Sequence, residues 1–177
     1  SRQPELGMIQ TCAELGVAFV PFSPLARGAF GQPMIDPDAQ DIGPFRTTIP
    51  RFSPENWPLN KPRPLAFQQL AADMGHHPAA LALAWCLHRG DHLIPIPGTR
   101  HAANLAAWAT APDIPLTPED MARIDTTLPV GWAFGDRYND AMAASVERYS
   151  GPIFCLKISS GGRGTRGWQQ AAPCPLP

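Results

Sequence analysis

The chain has little net charge, few cysteines and no long apolar run. Its 14 Lys and Arg nearly balance 15 Asp and Glu, and a formal charge of −1 excludes a broad electrostatic grip on nucleic acid or an anionic membrane. No apolar stretch approaches the roughly 18 residues that span a bilayer. No basic-then-apolar leader follows Ser1, so we expect no export signal. Cys12, Cys86, Cys155 and Cys174 form no C-x-x-C and have no His at ligand spacing, which excludes the zinc-site pattern. Scattered thiols of this kind suit a reducing, cytoplasmic location. Also absent are G-x-S-x-G, H-E-x-x-H, a P-loop and G-x-G-x-x-G, the short signatures of several common enzyme classes.

What the chain does have is apolar content, at 44%, and proline, at 22 of 177 residues. The first is enough to bury a core. The second points to stiff loops between regular elements, because Pro fixes φ and cannot continue a helix or a central strand. Charge divides the sequence: residues 1–150 carry 11 Lys and Arg against 15 Asp and Glu, whereas residues 151–177 carry three basic residues and no acid. The latter segment holds five Gly and four Pro in 27 residues, and it reads as an unstructured basic Gly/Pro-rich tail outside the fold. Its Gly-Gly-Arg-Gly run is read as a flexible segment rather than an RNA-binding one.

Residues 1–150 alternate helices with short apolar runs. Pro4 opens a helix with Ile9, Cys12 and Ala13 on one face, and Gly16 ends it. The continuous apolar run at 17–22 predicts a strand covered on both faces. A long polar, Pro-rich loop is expected from about Gly28 to Lys61, too long for a simple connector. Helices are expected over 64–74 and 78–89, the second with Leu81, Ala84, Trp85 and Leu87 inward, followed by a buried strand at 92–96. A helix follows over about 101–110. The last has Thr117 as N-cap, Pro118 at its first position and Asp120 closing a capping box, with Met121, Ile124 and Leu128 on one face. This alternation implies parallel strands in an α/β fold. Two such strands cannot form a sheet alone, so the chain reads as the later part of a larger fold.

In parallel α/β folds, ligands sit beyond the carboxyl ends of strands. The first candidate is Phe22-Ser23-Pro24-Leu25-Ala26-Arg27-Gly28, which offers an aromatic face, a hydroxyl, backbone amides and a cation. The second is Pro97-Gly98-Thr99-Arg100, where a helix start adds free N–H groups to a hydroxyl and a guanidinium fork. Together they suit a phosphorylated ligand carrying a flat aromatic group. Taken singly, each motif reads first as a proline-stiffened turn without a ligand. His76 and His77 read as a loop with a capping role, His88, His92 and His101 as surface residues, and Asp136-Arg137-Tyr138 as a surface ion pair beside a packed ring.

The succession ELGVAFVPFSPLARGAF, RFSPENW, HPAALALAW, LIPIPGTR and LTPEDMARID resembles the C-terminal half of an aldo-keto reductase, over about residues 1–149. The resemblance implies the C-terminal part of a (β/α)8 TIM barrel, with 17–22 and 92–96 as strands seven and eight. It further implies an NADP(H)-dependent oxidoreductase that acts on small-molecule carbonyl substrates without a metal. Phe22 matches the ring that stacks on the nicotinamide; Ser23, Pro24, Leu25, Arg27 and Gly28 match the loop that crosses the pyrophosphate. Gly98, Thr99 and Arg100 match the segment that holds the 2′-phosphate, and Asn104 another contact at that end. Ala107 and Trp108 stand where members carry an acidic or amide residue followed by Asn, which leaves only the Trp108 ring to meet the adenine. None of the family's catalytic Asp, Tyr, Lys and His lies in the matched segments, so no catalytic residue is assigned. The alternative is a non-catalytic NADP(H)-sensing or interaction module derived from the same fold. No nucleic-acid or membrane partner is expected.

Overall fold

The structure, a computed structural model, describes residues 2–144. The expected tail over 151–177 lies outside the described residues. The chain divides into a unit over Ser1–Asn139 and a second beginning at Asp140, whose described part is one helical turn.

Proline and glycine punctuate the first unit. Pro4 starts a 3₁₀ turn, Gln3–Leu6, but Gly7 at φ 131° breaks the expected single helix, and α1 runs over Met8–Glu14. Gly16 then takes a left-handed φ of 64°, with Gly16 N donating to Ala13 O and Val17 N to Cys12 O, the paired bonds of a Schellman cap. Two short helices, α2 (Pro44–Thr47) and α3 (Trp57–Asn60), precede α4 (Pro62–Asp73), which Gly75 ends with the same cap. The next helix, α5 (Pro78–Leu87), has His77 as N-cap, its Nδ1 accepting from Ala79 N at 3.1 Å. After α6 (Ala102–Trp108), α7 (Pro118–Thr127) begins with the expected Thr117–Asp120 capping box. The turn at the start of the second unit is α8 (Asp140–Ala143).

The main core forms around α5, whose residues 78–84 and Cys86 are buried. A helix that is apolar all round has to lie inside. It packs on α4, α6 and the turn Ala111–Asp113, while α7 packs on α4. Ala71, Ala79, Ala80 and Ala84 are fully buried, and these small side chains let the backbones approach closely around Phe67, Leu81 and Ile124. Trp85 and Leu87 are only half-buried.

Two expectations need correction. The segment from Gly28 to Lys61 is not a polar loop: Ile42, Ile49, Phe52 and Trp57 bury one another in a second small core, with Met34 and Ile35 against it. Periodicity could not reveal it, because its elements are single turns. Nor are 17–22 and 92–96 strands covered on both faces. They meet in two parallel bridges, Phe19 with Leu93 and Phe22 with Ile96, joined by Phe19 N to His92 O, Ile94 N to Phe19 O and Ile96 N to Pro21 O. Leu93 is buried, but Val17, Val20, Phe22, Ile94 and Ile96 are exposed. Among the described residues each segment has one neighbour, whereas a buried parallel strand needs two neighbours and helices on both faces.

An ionic cluster ties the N-terminal segment to the helices. Asp125 on α7 accepts from Arg89, at 2.6 Å on Oδ2, and from Trp85 Nε1 at 2.9 Å, and pairs with Arg2 at 3.0 Å. Arg2 also pairs with Glu5 and donates to Leu128 O at 2.6 Å. The guanidiniums of Arg2 and Arg89 lie 4.9 and 4.4 Å from the Trp85 ring centroid. Among the described residues no helix is long and apolar enough to cross a membrane.

Candidate functional site

The segment after Phe22 turns sharply. Ser23, Ala26 and Arg27 all sit at positive φ, at 52°, 48° and 58°, and Gly28 follows at 106°. L-residues in this region are strained, and such strain gathers at functional sites when the surroundings hold it in place. Here the surroundings do so. Leu25 is buried in the main core, Gly28 N donates to Leu25 O, and Ile35 N donates to Gly28 O. Arg46 Nε donates to Arg27 O at 2.8 Å. A Cβ on Gly28 would stand 2.5 Å from Ile35 Cγ1, so glycine is needed for both φ and space.

This loop forms one wall of a cleft of about 270 Å³. Phe22, Ser23, Pro24 and Arg27 line it, together with Phe67, Trp85 and Trp132. Leu25 belongs to the core instead and does not line the cleft, nor does Gly28, whose neighbour is Ile35. The Phe22 ring is 49% exposed, and the Arg137 guanidinium lies 5.3 Å from its centroid. Arg27 lies between two rings, 5.2 Å from Phe45 and 4.8 Å from Tyr138.

The second loop is separate from the cleft lining. Thr99 Oγ1 accepts from His101 N at 3.1 Å and from Asn104 Nδ2 at 2.9 Å, closing a small ring that fixes the entry to α6. Arg100 and Gly98 are exposed, and nothing approaches a Cβ built on Gly98 within 4 Å. The two loops are linked through the bridge of Phe22 with Ile96, from which both chains emerge in parallel. Trp108 is not free to stack on a ligand: it is 8% exposed and belongs to the main core, with Ala107 packed against it.

Sequence reasoning missed Arg51 and Arg137 as cleft residues. Arg51 stood within a quoted family segment without a role, and Arg137 read as half of a surface ion pair. In the structure Arg137 lies on Phe22 rather than on a carboxylate, and Tyr138 is a packed ring, as expected, but packed against a cation. Burial, then the charges of Arg137 and Arg27, hold the Arg51 guanidinium down to about 10, against which Asp136 acts weakly. Burial also lowers Arg27, with Tyr138 opposing that shift. No alternating pattern signals such a cluster, because its members come from three distant segments.

Two further histidines, His88 and His92, hold backbone groups rather than face the cleft. His88 Nδ1 lies 2.9 Å from Ala84 O and its Nε2 accepts from Leu116 N, while His92 Nε2 lies 3.0 Å from Ile9 O. Burial pushes the Cys86 thiol up to about 12, which leaves it inert as a nucleophile. Among the described residues no group of three or more His, Cys, Asp or Glu could hold a metal ion.

These features fit a dinucleotide in kind: an exposed ring face, strained backbone beside it, and cations on both loops. The solved structure of a thermostable aldo-keto reductase in complex with the inhibitor epalrestat is similar at 20% identity with a TM-score of 0.48. That match covers 72% of this chain and 36% of the other. The family model described as "Aldo/keto reductase family" matches residues 1–128. That span is well over half of the chain, and the chain belongs to the aldo/keto reductase family.

Proposed function

We propose that this chain supplies the cofactor-holding part of an NADP(H)-dependent oxidoreductase that interconverts carbonyl compounds and alcohols. In this reading 17–22 and 92–96 are the seventh and eighth strands of a (β/α)8 barrel. The observation that carries it is the parallel bridge of Phe22 with Ile96, which sends both candidate loops from neighbouring carboxyl ends. That is the end at which such barrels bind ligands.

The Phe22 ring would support the nicotinamide, and Ser23, Pro24, Leu25, Arg27 and Gly28 would border the pyrophosphate. Gly98, Thr99, Arg100 and Asn104 would hold the 2′-phosphate, Arg100 as the exposed charge and Asn104 by orienting Thr99. The cofactor, when bound, supplies a hydride to the carbonyl carbon. Among the described residues the cleft is lined by no Tyr, Lys or His that could give the carbonyl oxygen its proton. Tyr138 is engaged with Arg27, and Lys61 is paired with Asp36 and Asp38 at 2.8 and 3.1 Å, so no Tyr–Lys pair forms among the described residues. A general acid contributes about 10²–10⁴ in rate, so the chain by itself is expected to bind cofactor and turn over no aldehyde.

The same observation favours a second reading, a non-catalytic NADP(H)-sensing module. One pair of measurements separates them. NADPH titration of the whole chain should show binding in either case, and Arg100→Ala should weaken it by about tenfold to a hundredfold, the worth of a charged hydrogen bond to phosphate. Mixing with a polypeptide carrying the first six strands of a family barrel should then produce aldehyde-dependent NADPH oxidation if the chain is part of a reductase. Binding without turnover in that mixture would favour the sensor, and no binding at all would end both.

A further inference from the structure

Three guanidiniums, Arg27, Arg51 and Arg137, line the same cleft from three separate segments. Arg27 comes from the strained loop, Arg51 from the turn Pro50–Phe52, and Arg137 from the stretch that ends the first unit. Among the described residues Arg2, Lys61, Arg89 and Arg123 pair with carboxylates; these three do not, and unlike the likewise unpaired Arg46, Arg63 and Arg100 they line the cleft. Arg27 Nη1 is buried with no hydrogen-bond partner, a costly condition for a charged donor. The rest of the lining is largely apolar, with Phe22, Phe52, Trp85 and Trp132 among its rings; Glu5 also lines it, but its carboxylate is paired with Arg2.

Each fork is held in place. Arg51 Nε donates to Gly135 O at 3.2 Å, which spares its terminal nitrogens for another partner. Arg137 rests on Phe22, and Arg27 lies between Phe45 and Tyr138. Guanidiniums stacked on aromatic faces lose little freedom on binding, and their planar forks match the oxygens of a carboxylate or phosphate. Burial first, then neighbouring cations, lower both groups: Arg137 and Arg27 act on Arg51, and Arg137 and Arg46 on Arg27, a repulsion that an entering anion relieves.

We propose that Arg27, Arg51 and Arg137 form an oxyanion site at the apolar cleft, taking the carboxylate or phosphate of a ligand whose apolar body lies against Phe22, Trp85 and Trp132. The site shares Phe22 and Arg27 with the cofactor reading. The oxyanion therefore has two possible sources: the cofactor's own phosphates, or the acidic group of a second ligand.

The test uses the full chain and two probes of one shape, benzoate and benzamide, followed by calorimetry. Benzoate should bind at least about tenfold more tightly than benzamide, the gain of charge-assisted over neutral hydrogen bonds. Arg51→Gln should erase most of that preference, and Arg51→Lys, with an unchanged helical circular-dichroism signal, should keep part of it. Equal affinities in the parent chain, or a preference that survives in the triple Arg→Gln variant, overturns the proposal. Repeating the titration with saturating NADP⁺ identifies the source: retained benzoate binding assigns the site to an acidic second ligand, and competition assigns it to the cofactor's phosphates. Failure of the cofactor reading shows separately, as no NADP⁺ binding to a chain that still prefers benzoate.

Discussion

Asn60 is 2% exposed and joins two distant backbones: its Nδ2 donates to Arg51 O and Phe134 O, and its Oδ1 accepts from Phe134 N. Asn60→Leu would strand those backbone groups, and urea unfolding should show a loss of about 2–4 kcal/mol. Asp125 sets the acid limit. Burial pushes its carboxyl up, but hydrogen bonds from Arg89 and Trp85, with the charges of Arg2 and Arg89, outweigh that and hold it below the usual range. Its folded pKa therefore lies under the unfolded value of about 3.9, so its stabilisation is present at neutral pH and fades as pH falls below about 4. Asp125→Asn should cost about 1–2 kcal/mol at pH 7, given its partial exposure, and flatten that acid limb in thermal melts. Gly28→Ala should cost about 1–3 kcal/mol by forcing a Cβ at positive φ into Ile35. Neither Asn60 nor Asp125 announces its role in the sequence, because their other partners, Arg51 aside, lie dozens of positions away.

Among the elements, the longer helices were legible because their ends are chemically marked. Thr117, Pro118 and Asp120 predict the start of α7, and the structure has the full capping box. Thr117→Ala should lower stability by about 1 kcal/mol, measurable as a shift in denaturation midpoint. Gly16 and Gly75 likewise mark two helix ends by accepting a left-handed φ. The short turns between Gly28 and Lys61 escaped notice, since a single turn shows no periodicity and its core residues Ile42, Ile49, Phe52 and Trp57 are scattered. The apolar runs at 17–22 and 92–96 were legible as parallel extended segments, and they meet in two parallel bridges, yet their expected burial failed for want of neighbours among the described residues.

For the molecule as a whole, that missing cover has a consequence. Val20 and Ile94, 48% and 54% exposed, belong to a bridged pair that has no further strand neighbour among the described residues. Open apolar edges recruit further strands, so the isolated chain should aggregate on warming, and Val20→Lys with Ile94→Lys should slow that aggregation in light scattering without reducing helical signal. What the sequence by itself determined is local or carried in order: helix ends, the alternation of elements, and the family motifs at Phe22–Gly28 and Gly98–Arg100. Only the tertiary structure decided which of those residues line the cleft, sending Leu25 and Trp108 into the core and Arg27 to the cleft lining. It also brought Arg51 and Arg137 beside Arg27. The physical reason is that capping and turn chemistry act over a few neighbouring residues, whereas a charge cluster or a core contact depends on packing between segments far apart in the chain.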